Sequence, residues 1–217
     1  MTKQTAPKGR PRGGQLEKRR AILAGALAVF ARDGYTRASI DAISTEAGVS
    51  TRTIYNHFQD KAELFRTVIQ ESSTQVAEAQ IDLIDRHLGK VTDLEADLIA
   101  FGRAWLHPAD LHTQHAALVR QINAEGGHLP QSAVDAWQQA GPLRVRRALA
   151  ARLAELAEHG LLTITEPEQA ALHFSVLMSA STPSRPAGPA ATEKETAEAV
   201  AAGVRAFLYG HLPREAL

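Results

Sequence analysis

The chain has 217 residues, 44% of them hydrophobic and 22% charged, enough for one or two domains with a substantial core. It contains no cysteine, which excludes a disulfide framework and thiolate zinc sites and fits a reducing cytoplasm. No apolar run reaches the roughly 18 residues of a membrane helix, and no secretory apolar stretch follows the basic N-terminus, so a cytoplasmic protein without membrane association is expected.

Formal net charge is zero, but the charge is unevenly spread. Residues 1–61 carry eleven Lys/Arg against five Asp/Glu, a balance of +6, and the remainder carries −6. A part able to neutralise phosphates is joined to an acidic part that phosphates would repel.

In chain order, residues 1–15 read as a disordered basic arm, with Arg10 and Arg12 in a Gly-Arg-Pro-Arg-Gly segment. Such a segment can reach into a minor groove, or can simply add non-specific attraction. Residues 21–30 form an amphipathic helix with Ile22, Ala26 and Phe30 on one stripe, and Gly34 is its stop.

Residues 39–58 read as two short helices about a tight turn. Ile40, Ile43 and Ala47 recur at helical spacing, and Gly48 supplies the left-handed angle after them. Ser50 is placed to cap a second helix in which Ile54 and Phe58 face inward. That leaves Thr51, Arg52, Thr53, Tyr55, Asn56 and His57 facing outward. Donors, a cation and small groups on one exposed side suit base edges and phosphates. Asp60 and Glu63 form a capping-box pattern opening a long helix from Lys61 to about Asp85.

The rest reads as helix. Segments are expected over 92–107, over 111–125 and over 130–158, the last kinked or broken at Gly141-Pro142. A capping box at Thr165–Glu168 opens a helix to about Ala180, and Ser181 to Ala191 reads as a loop. Thr192–Glu195 caps a last helix to about Gly210.

Five motifs carry a family resemblance: Phe30-x-x-x-Gly34-Tyr35-Thr36, Ser39-Ile40-x-x-Ile43, Ala47-Gly48-Val49-Ser50, Ile54-Tyr55-x-His57-Phe58 and Lys61-x-x-Leu64-Phe65. On these, residues 16–76 resemble the N-terminal DNA-binding domain of TetR/AcrR transcriptional regulators. Thr51-Arg52-Thr53 departs from the residues many relatives carry after the capping serine, which bears on the operator sequence and not on the family. The resemblance implies an all-α fold, with an N-terminal three-helix helix-turn-helix DNA-binding domain (16–76, helix-turn-helix 39–58). A C-terminal helical ligand-binding and dimerisation domain would follow over 77–217.

Residue by residue, the resemblance implies that Ser39 touches a phosphate and that Arg52 and Thr53, with Thr51, read bases, an arginine being able to pair bidentately with guanine. Asn56 would join them or bind water, Tyr55 and His57 would contact the backbone, and Lys61 would add a charge. It also implies a homodimer through the last two helices. Residues 170–178 are apolar nearly all round, and Ala197, Val200, Ala201, Val204, Phe207 and Leu208 form a wide face. Two-fold symmetry would match a palindromic double-stranded operator with half-sites roughly 34–36 Å apart.

The middle helices supply candidates for a small-molecule pocket. Phe101, Trp105, Leu118, Ile122, Trp137, Phe174 and Met178 are the apolar candidates, with Arg120, Gln121, Asn123 and His173 as polar fixtures; the competing reading is that most of them are ordinary core. Leu118–Glu125 followed by Leu129-Pro130 resembles one subgroup of the family's C-terminal domains.

No cofactor, metal or catalytic constellation is expected. His107, His112 and His115 lie close in sequence, but only the i, i+3 pair His112 and His115 could face one metal and no third ligand is placed beside it; no nucleophile turn or phosphate loop is present. The expected function is a ligand-released repressor. A ligand-independent DNA-binding activator or co-regulator working through a protein partner is the alternative, and a helical enzyme or metal protein the remote one.

Overall fold

The computed structural model describes residues 12–106, 111–180 and 192–211. Among them the chain is all α-helical, and the helices fall into two compact units. The first unit runs to Glu71 and takes in Gln114–Ala136, and the second comprises Ser72–Thr113 and Trp137 onwards.

The helices are α1 (Arg12–Arg37), α2 (Ile40–Glu46), α3 (Thr51–Tyr55), α4 (Lys61–Leu88) and α5 (Leu94–Leu106). After them come α6 (Leu111–Glu125), a 3-10 turn at Gly126–His128, α7 (Gln131–Ala140), α8 (Pro142–Glu158), α9 (Pro167–Ala180) and α10 (Glu193–His211). Helix starts at Arg12, so the last four residues of the expected arm are helical. The helix formers Gln15 to Arg20 carry the helix, which extends back over Gly13 and Gly14. Residues 1–11 with Arg10, the side chain of Arg12, His107 and the expected loop Ser181–Ala191 lie outside the described residues.

The first unit is built on apolar stripes at helical spacing. Ile22, Ala26, Val29 and Phe30 of α1 are fully buried, as are Ile43 of α2 and Leu64 of α4. Phe65 packs edge-on against Phe30 at 4.9 Å and lies 4.8 Å from the Tyr35 ring. Each Ile, Val, Leu or Phe among them contributes about 1.5–3 kcal/mol when fully buried. Leu118 and Ile122 of α6 and Ala133 of α7 are buried in this unit too.

Gly25 sits where α1 meets α2. A Cβ there would come within 2.8 Å of the Ala47 amide nitrogen and 2.9 Å of the Ala47 Cβ. The two backbones therefore approach as closely as glycine allows.

The second unit has its own core from α4, α5, α8, α9 and α10. Phe101 stacks on Phe174 at 5.4 Å, and Phe174 meets Phe207 edge-on at 5.3 Å. On its surface Arg152 pairs with Asp85 at 2.8 Å and with Glu155 at 2.6 Å. Exposed pairs of this kind contribute at most about 1 kcal/mol each, so the aromatic core dominates.

Local signals explain most boundaries. Gly141-Pro142 breaks the 130–158 segment into α7 and α8, with Pro142 opening the second. The Thr192–Glu195 box forms as expected: Glu195 accepts from the Thr192 amide at 2.8 Å, and Thr192 Oγ1 accepts from the Glu195 amide at 3.2 Å. The helix α9 instead begins at Pro167, and the Glu166 carbonyl accepts its first bond from Ala170 at 3.0 Å.

Replacing a mid-helix glycine with alanine normally stabilises by about 0.5–1 kcal/mol. Gly25→Ala should do the reverse and cost roughly 1–3 kcal/mol, because the new methyl meets backbone that cannot rotate away. Urea unfolding of the full chain checks the sign, and a raised midpoint would contradict the close approach.

Candidate nucleic-acid interface

The corner from Ser39 to Phe58 is fixed by caps at both of its helices. Ser39 is the N-cap of α2, and its Oγ accepts from the Ala42 amide at 3.1 Å. At the far end Gly48 takes φ 63°, and Val49 donates to the Ser44 carbonyl at 3.0 Å, closing the turn. Ser50 then caps α3, its Oγ accepting from the Thr53 amide at 3.2 Å and sharing a hydrogen bond with Thr53 Oγ1 at 2.8 Å. A cap of this kind is worth about 1 kcal/mol.

The helix α3 is shorter than expected, ending at Tyr55 with Asn56 as its C-cap. Its end tightens: His57 donates to Ile54 at 2.9 Å, a three-residue step, while Phe58 also reaches Ile54 at 2.9 Å. Phe58 thereby keeps its inward place and is buried with Ile54. The Arg19 guanidinium lies 5.7 Å from the centre of the Phe58 ring.

Opposite that anchored side, Arg52, Tyr55 and Asn56 are exposed, and Thr51, Thr53 and His57 are half-buried. Ser39 is exposed at the start of α2. Of the expected readers, Thr53 has its hydroxyl committed to Ser50, whereas Arg52 and Asn56 stand a single helical turn apart on the open side.

Lys61 differs from expectation. Its Nζ donates to the carbonyls of Tyr35 at 2.9 Å and Ala38 at 3.0 Å, and lies 4.6 Å from the centre of the Tyr35 ring. Carbonyls at a helix end carry partial negative charge and lack partners within the helix. They hold the ammonium against the α1–α2 turn instead of leaving it directed at solvent.

The same turn gathers other polar groups that sequence reasoning missed. Gly34 has φ 78° and ψ 174°, a region essentially reserved for glycine, and breaks α1 there. Glu125, at the end of α6, accepts from the Thr36 amide at 3.0 Å and the Thr36 hydroxyl at 2.9 Å. Gln121 donates to the Arg32 carbonyl at 3.4 Å. Burial raises the Tyr35 phenol above its ordinary pKa, and the carboxylates of Asp60 and Glu125 push the same way. Hydrogen bonding from Arg32 lowers the Asp33 carboxyl below its ordinary range. The stability this pair contributes is present at neutral pH and is lost as pH falls through that lowered value.

The pocket candidates divide between the units. Phe101, Phe174 and Met178 are fully buried and form the centre of the second core, with Trp105 edge-on to Phe101 at 5.4 Å. Trp137 is half-buried in the same unit, and His173 is exposed on α9, hydrogen-bonded to Gln169 at 2.9 Å. Leu118 and Ile122 are buried in the first unit, where Arg120 and Asn123 are exposed and Gln121 is half-buried. Among the described residues no group of three potential metal ligands is found, and no helix is long and apolar enough to cross a membrane.

A capped two-helix corner with an anchored apolar side and a polar outer side, joined to a helical body, defines a helix-turn-helix DNA-binding protein. Comparison with known proteins agrees. Residues 22–68 match the family described as bacterial regulatory proteins, tetR family, and residues 96–210 match the C-terminal domain of AefR-like transcriptional repressors.

The HTH-type transcriptional regulator AcrR of Shigella flexneri is 35% identical over 66 residues, 30% of this chain and 31% of that protein. The transcriptional activator FasR of Mycolicibacterium smegmatis is 42% identical over 65 residues, 29% of this chain and 30% of that one. The chain thus matches under a third of the length of these curated relatives. Whole-chain similarity comes from solved structures. A TetR-family regulator from Mesorhizobium loti superposes with a TM-score of 0.78 at 26% identity, over 94% of this chain and 100% of that one. The flavonoid-responsive regulator FrrA gives a TM-score of 0.65 at 29% identity, over 91% and 98%. The chain belongs to the tetR family of bacterial regulatory proteins and is a DNA-binding transcriptional regulator, not an enzyme.

Lys61→Met tests the role of that ammonium. Losing charged hydrogen bonds to two carbonyls should cost roughly 1.5–3 kcal/mol of stability. The slope of log affinity against log salt for DNA should stay unchanged, whereas a lysine on a phosphate would lower it by about 1.

Proposed function

We propose that the chain is a cytoplasmic, ligand-released repressor that binds a palindromic operator as a homodimer. The observation that carries this reading is the outward side of α3, with Arg52 and Asn56 exposed opposite the buried Ile54 and Phe58. Arg52, with Thr51 and Thr53, reads base edges, and Asn56 adds a contact beside them. Ser39, Tyr55 and His57 meet the phosphate backbone, and Arg10 and Arg12 reach into the minor groove. Lys61 acts here by holding the α1–α2 turn.

Dimerisation through α9 and α10 is supported by apolar groups exposed on these two helices. Val176 is 56% exposed and Tyr209 73%. A groove of about 380 Å³ runs between Leu172, Val176 and Leu177 of α9 and Ala206, Phe207 and Gly210 of α10. A second copy of the same two helices would cover Leu172, Val176 and Tyr209, whereas Val200, Val204, Phe207 and Leu208 of the expected face are buried in the subunit's own core.

Repression is supported by the description of the family matched by residues 96–210, although FasR is by name an activator. The effector site is proposed in the second unit, at the partly exposed Trp105 and Trp137. FrrA is flavonoid-responsive by name, which makes a planar aromatic compound the first effector to try. Bound effector and operator would oppose each other through a coupling energy of about 1–3 kcal/mol.

Selection of bound duplexes from a random pool by the purified protein tests the reading as a whole. A palindrome is expected, and an asymmetric site would contradict the symmetric dimer. Arg52→Ala should cost roughly 1–3 kcal/mol and relax preference at one position per half-site, while uniform weakening on all sequences would reduce Arg52 to a phosphate anchor. Val176→Asp should shift the sedimentation profile towards monomer, and an unchanged profile would move the interface elsewhere.

A further inference from the structure

The geometry points to Glu125 as a positioning residue for DNA binding: a carboxylate at the end of α6 that fixes the turn from which α2 and α3 depart. The inference rests on the reading that α3 enters a DNA groove.

Glu125 is badly placed by the rules of its own helix. It is the last residue of α6, where the backbone carbonyls present partial negative charge and a carboxylate is disfavoured. Gly126, at φ 43°, ends the helix immediately after it. What compensates is the Thr36 amide and hydroxyl, both donating to a single carboxylate oxygen at 3.0 and 2.9 Å. Thr36 follows the backbone break at Gly34, so its amide is one of the donors a restarted helix leaves without a partner. Each group meets the need of the other.

The carboxylate is also held in place. Leu118, Gln121, Ile122 and Glu125 stand at i, i+3, i+4 and i+7, a single stripe of α6. Leu118 and Ile122 are buried in the first unit, and Gln121 donates to the Arg32 carbonyl at 3.4 Å, just before the turn. Glu125 therefore meets the turn from a helix end anchored by apolar burial. From the other side, Lys61 clamps the Tyr35 and Ala38 carbonyls. Thr36 lies between them, three residues before the Ser39 cap that opens α2. A turn gripped by a cation on its carbonyls and an anion on its amide has little freedom, and the direction of α2 and α3 is set where it ends.

The test uses full-length protein and the duplex selected by the wild type from a random pool. Glu125→Ala should bind that duplex roughly tenfold more weakly, as for loss of a hydrogen bond to a charged group. Its salt slope should be unchanged, and its preference over a scrambled duplex should fall. Glu125→Gln keeps an acceptor and should stay within about twofold of wild type. If Glu125 acted only as a negative charge repelling phosphates, both variants would bind more tightly, and that outcome would overturn the inference.

Helicity and urea unfolding accompany each measurement. Should Glu125→Ala fail to fold, Thr36→Val carries the test. It should lose roughly two- to fivefold in affinity while Thr36→Ser retains it, and equal binding by all three proteins would overturn the proposal. A wild type that selects no duplex would overturn the reading of α3 and this inference with it. Selection by the wild type with undiminished binding by a folded Glu125→Ala would overturn this inference alone.

Discussion

The backbone contact between α1 and α2 at Gly25 and Ala47 is the constraint on which the DNA-binding side depends. A five-residue helix such as α3 has almost no stability of its own, since nucleation costs more than one turn returns. Its direction is borrowed from α2, on which it packs, through the Gly48 turn and the Ser50 cap. The direction of α2 is in turn fixed by how closely it lies on α1. Burial of Ile54 and Phe58 keeps α3 from rotating, and so keeps Arg52 and Asn56 outward.

What the sequence made legible is local. Ser39, Ser50 and Gly48 act through atoms within three or five residues, and the chain order alone announces them. The apolar period assigned Ile22, Ile43, Ile54 and Phe58 to the core for the same reason, because helical spacing decides which side a residue faces. The expected break at Gly141-Pro142 and the box at Thr192 also follow from short-range rules.

Contacts between distant residues were not legible. Thr36 and Glu125 are 89 positions apart, and nothing in either neighbourhood names the other. Lys61 reads as a free surface cation because its acceptors belong to a turn 23 and 26 residues earlier. Nothing in the neighbourhood of Gly25 announces the Ala47 backbone laid against it. Phe101, Phe174 and Met178 show the limit for apolar residues. Composition says that they are inside, but only packing says that they fill space against one another.

The sequence boundary and the packing boundary are also different things. Residues 96–210 match a single C-terminal domain family, yet Gln114–Ala136 within that span belong to the same compact unit as α1, α2 and α3. The charge division shifts with it: the unit that holds the basic N-terminal region also takes in a segment that brings Glu125, an acid, to the turn before α2. A carboxylate on the DNA-binding unit is an electrostatic cost in the approach to phosphates, and distance and salt screening weaken that cost. The hydrogen bonds it accepts from Thr36 are short-ranged and are not screened in that way. Near physiological salt the repulsion is screened beyond about 8 Å, while the hydrogen bonds at this turn persist.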